Sequence, residues 1–192
     1  MSESIEIEFK NILTKEEYKI LLKTFKVEEK EIINQTNHYF DTPDFGLKNL
    51  GSALRIRIKN NTYELTLKQP AAVGLLESTQ LLSETEYQTA IEHGIFPTGI
   101  VNQRLEKLNI SMNHIEYFGS LQTKRAEFTY KNGLLVLDHS LYLNTEDYEV
   151  EYEVDDIQAG QLAFQDLLLQ YGIPIRRTQN KVARFYQQKY NF

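Results

Sequence analysis

The chain has 192 residues, 41% hydrophobic and 25% charged, with no cysteine and a formal charge of -6. That profile suits one globular domain over residues 1–192 with a real core, and it excludes a disordered chain. It also excludes disulfides, thiolate nucleophiles and cysteine-based zinc, and the acidic balance argues against a general nucleic-acid binder.

No apolar run approaches the roughly 20 residues that span a bilayer, and Met1-Ser-Glu-Ser lacks the basic and apolar regions of a secretion signal. A cytoplasmic protein without a membrane partner is expected. Any metal must be held by oxygen or by the four scattered histidines, which favours a hard ion such as Mg2+ or Mn2+.

In chain order, Ser4 to Lys10 alternates apolar and charged residues and reads as a strand. Thr14-Lys-Glu-Glu17 has the form of a capping box and opens a helix with Tyr18, Leu21, Leu22 and Phe25 on one face. Gln35 to Asp41 is a strand stopped by Thr42-Pro43. Leu54 to Lys59 turns at Asn60-Asn61 into Tyr63 to Lys68, and asparagine at both turn positions suits the positive φ of a tight hairpin. Ser83-Glu-Thr-Glu86 opens a second helix, which Gly94 ends. A further helix is predicted over Val101 to Leu108 and a short strand over Ile115 to Phe118. Lys124 to Tyr130 and Leu134 to Leu137 flank Asn132-Gly133, a second hairpin signal. Tyr148 to Val154 alternates as a strand, Gln161 to Tyr171 is an amphipathic helix ended by Gly172, and Thr178 is expected to cap a last helix through Tyr190. About eight strands and five helices, joined mostly by hairpins, favour an antiparallel α+β fold.

Strand side chains alternate between faces, so the charged residues fall into rows. Glu6, Glu8 and Lys10 share one face, as do Arg55, Arg57 and Lys59, and Glu64, Thr66 and Lys68. Arg125 and Glu127 share another, and Glu149, Glu151 and Glu153 form a row of three carboxylates. An open sheet can leave such rows in solvent. A closed barrel of about eight strands would instead bury them at several kcal/mol per charge, unless a ligand that is both cationic and anionic paired them. A divalent metal with a polyphosphate meets that requirement: carboxylates hold the metal, and Arg and Lys hold phosphoryl oxygens. His38 lies on the face opposite Tyr39 and Asp41 and reads as a packing residue.

Glu6-x-Glu8-x-Lys10 near the N-terminus resembles the signature of the CYTH domain, in the triphosphate tunnel metalloenzyme superfamily. Tyr39-Phe-Asp-Thr42, Leu54-Arg55-Ile-Arg57 and Leu65-Thr-Leu-Lys68 are similar to further family segments. Arg125, Asp138, Glu151 with Glu153, and Lys181 follow in the family's order. The resemblance implies an eight-stranded antiparallel β-barrel open as a tunnel, with helices packed outside. It implies Glu6, Glu8, Asp138, Glu151 and Glu153 as metal ligands, with Glu149 and Glu151 as the alternative C-terminal pair. It implies Lys10, Arg55, Arg57, Lys68, Arg125 and Lys181 as phosphate-binding residues, and Glu6, Glu8, Lys10, Arg57, Glu151 and Glu153 as the catalytic set. The activity implied is metal-dependent hydrolysis of tripolyphosphate or a small organic triphosphate by a monomer or homodimer that uses Mg2+ or Mn2+. A class IV-type adenylate cyclase, a thiamine triphosphatase and a non-catalytic polyphosphate- or nucleotide-binding module are the alternatives.

Overall fold

The computed structural model describes residues 1–190, which form nine β-strands and six α-helices. In chain order these are β1 (Ser2–Glu6), β2 (Glu8–Leu13), α1 (Lys15–Thr24), β3 (Ile33–Asp41), α2 (Gly46–Asn49), β4 (Ala53–Lys59), β5 (Thr62–Pro70), β6 (Leu75–Leu82) and α3 (Glu84–His93). There follow α4 (Ile100–Lys107), β7 (Glu116–Tyr130), β8 (Gly133–Tyr142), β9 (Thr145–Glu153), α5 (Ile157–Gln170) and α6 (Lys181–Tyr190). The chain divides into two compact units, one of Met1–Ile5 with Gln35–Leu121, the other of Glu6–Asn34 with the chain from Gln122 onward.

In the first unit the strands pair in the order β1-β6-β5-β4-β3-β7. Its core is aliphatic, with Leu54, Ile56, Leu65 and Leu67 of the β4–β5 hairpin packed with Ala90 of α3 and Val101 and Leu105 of α4. The hairpin turns at Asn60 and Asn61, both at positive φ (50° and 58°), the conformation that asparagine tolerates and a tight hairpin requires. Antiparallel register then sets Arg55 opposite Tyr39 and Thr66, and Arg57 opposite Asn37 and Glu64. His38 packs outward from that row, its ring between the hydroxyls of Tyr117 and Tyr87 at 3.3 Å each. Burial lowers its pKa, so it is a neutral packing histidine at pH 7.

In the second unit the order is β7-β8-β9-β2. Its core joins Leu135 and Leu137 of β8 and Tyr148, Val150 and Tyr152 of β9 to Tyr18 and Leu21 of α1 and Phe164, Leu167 and Leu168 of α5. Because those β9 residues fill the core, Glu149, Glu151 and Glu153 take the other face. Antiparallel pairing sets Glu8 opposite Glu153, Lys10 opposite Glu151, Asp138 opposite Glu149, and Arg125 opposite Asp138.

Both sequence-predicted capping boxes form, at Thr14 with Glu17 and at Ser83 with Glu86, and Gly94 ends α3 at φ 66°. The α+β class and antiparallel pairing also stand, but the strand count is nine rather than eight. The alternating N-terminal run breaks at Ile7, so that β1 pairs with β6 and β2 with β9. The two short strands expected at 115–118 and 124–130 form one continuous strand, β7. β6 was unread because Leu75-Leu-Glu-Ser-Thr-Gln-Leu-Leu82 does not alternate simply. The second hairpin turns one residue earlier than Asn132-Gly133 suggests, with Lys131 at φ 49° and Gly133 already paired to Tyr130. Gly133 serves a close approach instead, since a Cβ there would lie 2.5 Å from the Glu153 carbonyl oxygen. Asn180 rather than Thr178 caps α6, accepting from the Ala183 N–H at 2.8 Å, while Thr178 accepts from the Ile12 N–H of β2.

Candidate active site

On the charged face of the second unit, acids and bases interlock. Arg125 forks onto Asp138 at 2.8 and 2.6 Å and reaches Glu151 at 2.8 Å. Lys181, the first residue of α6, lies 2.8 Å from Asp138, 2.8 Å from Glu149 and 2.6 Å from Glu151. All five side chains are nearly or wholly removed from solvent. Burial of that kind disfavours charge, yet Asp138 and Glu151 stay ionised because the cations outweigh it. Burial alone would raise the Glu151 pKa, but Lys181, Arg125 and Lys10 hold it well below the usual carboxylate range. Asp138 is lowered against burial by Arg125 and Lys181. Lys181 and Arg125 are correspondingly held protonated, both well above their ordinary values. Lys10 pairs with Glu8 and is raised against burial by Glu8, Glu151 and Glu149.

The charged face of the first unit is balanced differently. Arg57 Nε donates to Asn37 Oδ1 at 2.9 Å, and Lys68 pairs with Glu77 of β6. Burial would raise the Glu77 pKa, but Lys68, Arg55 and Arg57 lower it. The Arg55 Nε–H is buried without a hydrogen-bond acceptor. A buried guanidinium donor left open costs free energy unless an acceptor arrives, and an anion is the natural one.

Of the expected metal ligands, Glu8 and Glu153 face each other across β2 and β9, and Glu6 lies two residues before Glu8. Asp138 and Glu151 also meet Arg125 and Lys181. Among the described residues no group of three or more acidic or histidine side chains is arranged around a metal position. Mg2+ does not require one, because it commonly takes one or two carboxylates and fills its other positions with water and phosphate oxygens. The donors are hard oxygens, and Glu149 Oε1 is buried with no hydrogen-bond partner, so the residues present suit such an ion.

A CYTH domain family model matches residues 4–186. The chain belongs to the CYTH domain family. This CYTH domain is 52% identical over 189 residues to YjbK of Bacillus subtilis (strain 168), which is named as a candidate triphosphatase, with 98% of each chain covered. A crystal structure of a candidate adenylate cyclase from Bacillus halodurans, BH2851, superposes with a TM-score of 0.94 at 43% identity, covering 97% of this chain and 100% of that one. HpAC1 from Hippeastrum, a candidate adenylyl cyclase described as having a dominant triphosphatase activity, shares the fold with a TM-score of 0.79 at 22% identity over 95% and 96% of the two chains.

Three features of the CYTH domain were not read from its sequence. Asp41, in the family-like Tyr39-to-Thr42 segment, accepts the backbone N–H groups of Thr42, Leu47 and Lys48 at 2.8 to 3.0 Å and so ties down α2. Glu77 was missed because its strand was missed. Arg184 forks onto Asp147 and reaches Glu149 at 2.7 Å. Its signal was available, since Lys181 and Arg184 stand three apart on one helix face.

Proposed function

We propose that this CYTH domain is a divalent-metal-dependent triphosphatase that cleaves tripolyphosphate or a small organic triphosphate, releasing phosphate by attack of water on a phosphoryl group. The observation that carries this reading is Arg55, whose buried Nε–H has no acceptor on a strand that also presents Arg57. That row asks for a polyanion. Within the first unit the candidates for phosphoryl oxygens are Arg55, Arg57 and Lys68, and within the second they are Lys10, Arg125 and Lys181. Phosphoryl transfer needs positioning and charge neutralisation more than covalent chemistry, and these cations supply both without a nucleophilic side chain.

Glu6, Glu8, Glu151 and Glu153 would hold Mg2+ or Mn2+. Asp138 orients Arg125 through its two-pronged contact. When bound, the ion neutralises charge on the phosphate chain and favours ionisation of water. Lys10 stays protonated beside Glu8 and offers a fixed donor to the transferring group or the leaving diphosphate. The name carried by YjbK supports the hydrolytic reading.

A second reading is cyclisation of ATP, favoured by the name of the Bacillus halodurans structure. One experiment separates the two. Purified protein is offered tripolyphosphate, ATP, GTP and thiamine triphosphate with Mg2+ or Mn2+, and both phosphate and cyclic AMP are measured. Phosphate from tripolyphosphate is expected. Cyclic AMP with diphosphate from ATP would replace the proposal by the second reading, and no turnover with any substrate would remove both.

A further inference from the structure

The contacts of Arg184 run in one direction, from the β8–β9 turn toward Lys181. Near that turn, the Tyr142 hydroxyl donates to Asp147 Oδ2 at 2.7 Å. Arg184 Nε meets the same oxygen at 2.9 Å, and its second terminal nitrogen meets Asp147 Oδ1 at 3.3 Å and Glu149 Oε2 at 2.7 Å. Its remaining nitrogen donates to the carbonyl of Gln179, in the segment that leads into α6. Lys181 begins that helix, and its ammonium takes the same Glu149 oxygen as Arg184.

Two consequences follow for Lys181. The guanidinium joins the first turn of α6 to the irregular segment before it, which sets the point from which the lysine projects. It also shares the charge of Glu149, a fully buried carboxylate that would otherwise draw the ammonium toward itself and away from Glu151. A fork that satisfies Asp147, Glu149 and a carbonyl together is available to a guanidinium and not to an ammonium.

We propose that Arg184, braced by Asp147, is a positioning residue that holds the Lys181 ammonium between Asp138, Glu149 and Glu151. Arg184 touches neither water nor phosphate in the reaction and acts only through Lys181. The inference rests on the triphosphatase reading for its rate effect and on the ion-pair geometry for its structural part.

The test is a double-mutant cycle of Arg184→Ala and Lys181→Ala, with Arg184→Lys beside it. It is read as kcat and KM for tripolyphosphate with Mg2+, and as tripolyphosphate affinity by calorimetry. In the otherwise native chain, Arg184→Ala should lower kcat by on the order of tenfold to a hundredfold, the scale of a misplaced group, with little change in KM. In the Lys181→Ala background it should cost less than about twofold, because its target is gone. Arg184→Lys should not restore the rate, although it keeps the charge and tests the role if the alanine variant fails to fold. Equal losses in both backgrounds, full activity in Arg184→Ala, or full rescue by lysine would each overturn the proposal. If the wild type binds tripolyphosphate without cleaving it, the hydrolase reading fails. The same cycle on affinity then decides the positioning role: coupled losses uphold it, and independent ones overturn it.

Discussion

The two units place their charged rows alike, on the strand face turned away from the apolar core, but they settle those charges in different ways. In the second unit Asp138, Glu149 and Glu151 meet Arg125, Lys181 and Arg184 in contacts of 2.6 to 2.8 Å, so acids and bases answer each other inside the protein. In the first unit Glu77 lies under the influence of Lys68, Arg55 and Arg57, Glu64 stands opposite Arg57, and the Arg55 Nε–H is buried with no acceptor. The paired set is already assembled, whereas the Arg55 donor is the one to which the proposed function gives an anion from outside.

The largest effect should come from breaking the paired set. Replacing Glu151 by Gln leaves Arg125 and Lys181 short of a buried partner, which should lower stability by about 3 to 5 kcal/mol. Turnover should fall at least a hundredfold. Glu149→Gln, compared at matched folded fraction in thermal melts and initial-rate assays, should cost less turnover. The reverse order would move the metal pair to Glu149 and Glu151.

Next comes the cationic set, where the contrast predicts activity loss without stability loss. Arg55→Lys keeps the charge but removes the fork, and should reduce kcat/KM for tripolyphosphate by about 2 to 3 kcal/mol in transition-state stabilisation. Its unfolding free energy should stay within about 0.5 kcal/mol, as for an ordinary substitution away from the core. A stability loss matching that of Glu151→Gln would mean that Arg55 has a structural partner, and the contrast would fail.

Much of this contrast was legible in the sequence, and the reason is periodicity. Alternation in Leu54 to Lys59 and in Tyr148 to Val154 assigns each charged residue to a face before any contact is known. The capping boxes at Thr14 and Ser83 were readable because their chemistry is local. What escaped was set by pairing over long separations. Whether Asp138 meets a metal or Arg125 depends on the β7–β8 register, and Glu149's burial depends on a helix some thirty residues on. The break at Ile7 escaped for the same reason: the alternating run shows a strand but not that its halves have different partners.

Acid should act unequally on the two units. Glu151 and Asp138 have folded-state pKa values below their unfolded ones, so the stability they contribute is present above the unfolded carboxylate range near pH 4. It is lost as pH falls from there toward the folded values. Hydrogen exchange between about pH 5 and pH 3 should therefore show the amides of β8, β9 and α6 losing protection as the acids protonate. Protection unchanged over that window would mean that these ion pairs contribute no net stability.

The smallest effect is expected at Glu77. Glu77→Gln removes the carboxylate that Lys68 pairs with, and tripolyphosphate affinity by calorimetry should tighten a few-fold, about 1 kcal/mol or less for a partly exposed pair. Weaker binding would make Glu77 a contributor to the ligand site rather than a counterion.

The central claim is that these two charge arrangements serve cleavage of a triphosphate, and the phosphorus NMR spectrum of tripolyphosphate incubated with the protein and Mg2+ tests it most directly. In the wild type the tripolyphosphate signals should give way to diphosphate and phosphate in equal amounts. Arg55→Lys and Glu151→Gln should each be slower, the first without loss of fold. An unchanged spectrum in the wild type with both Mg2+ and Mn2+, from protein shown to be folded, would contradict it.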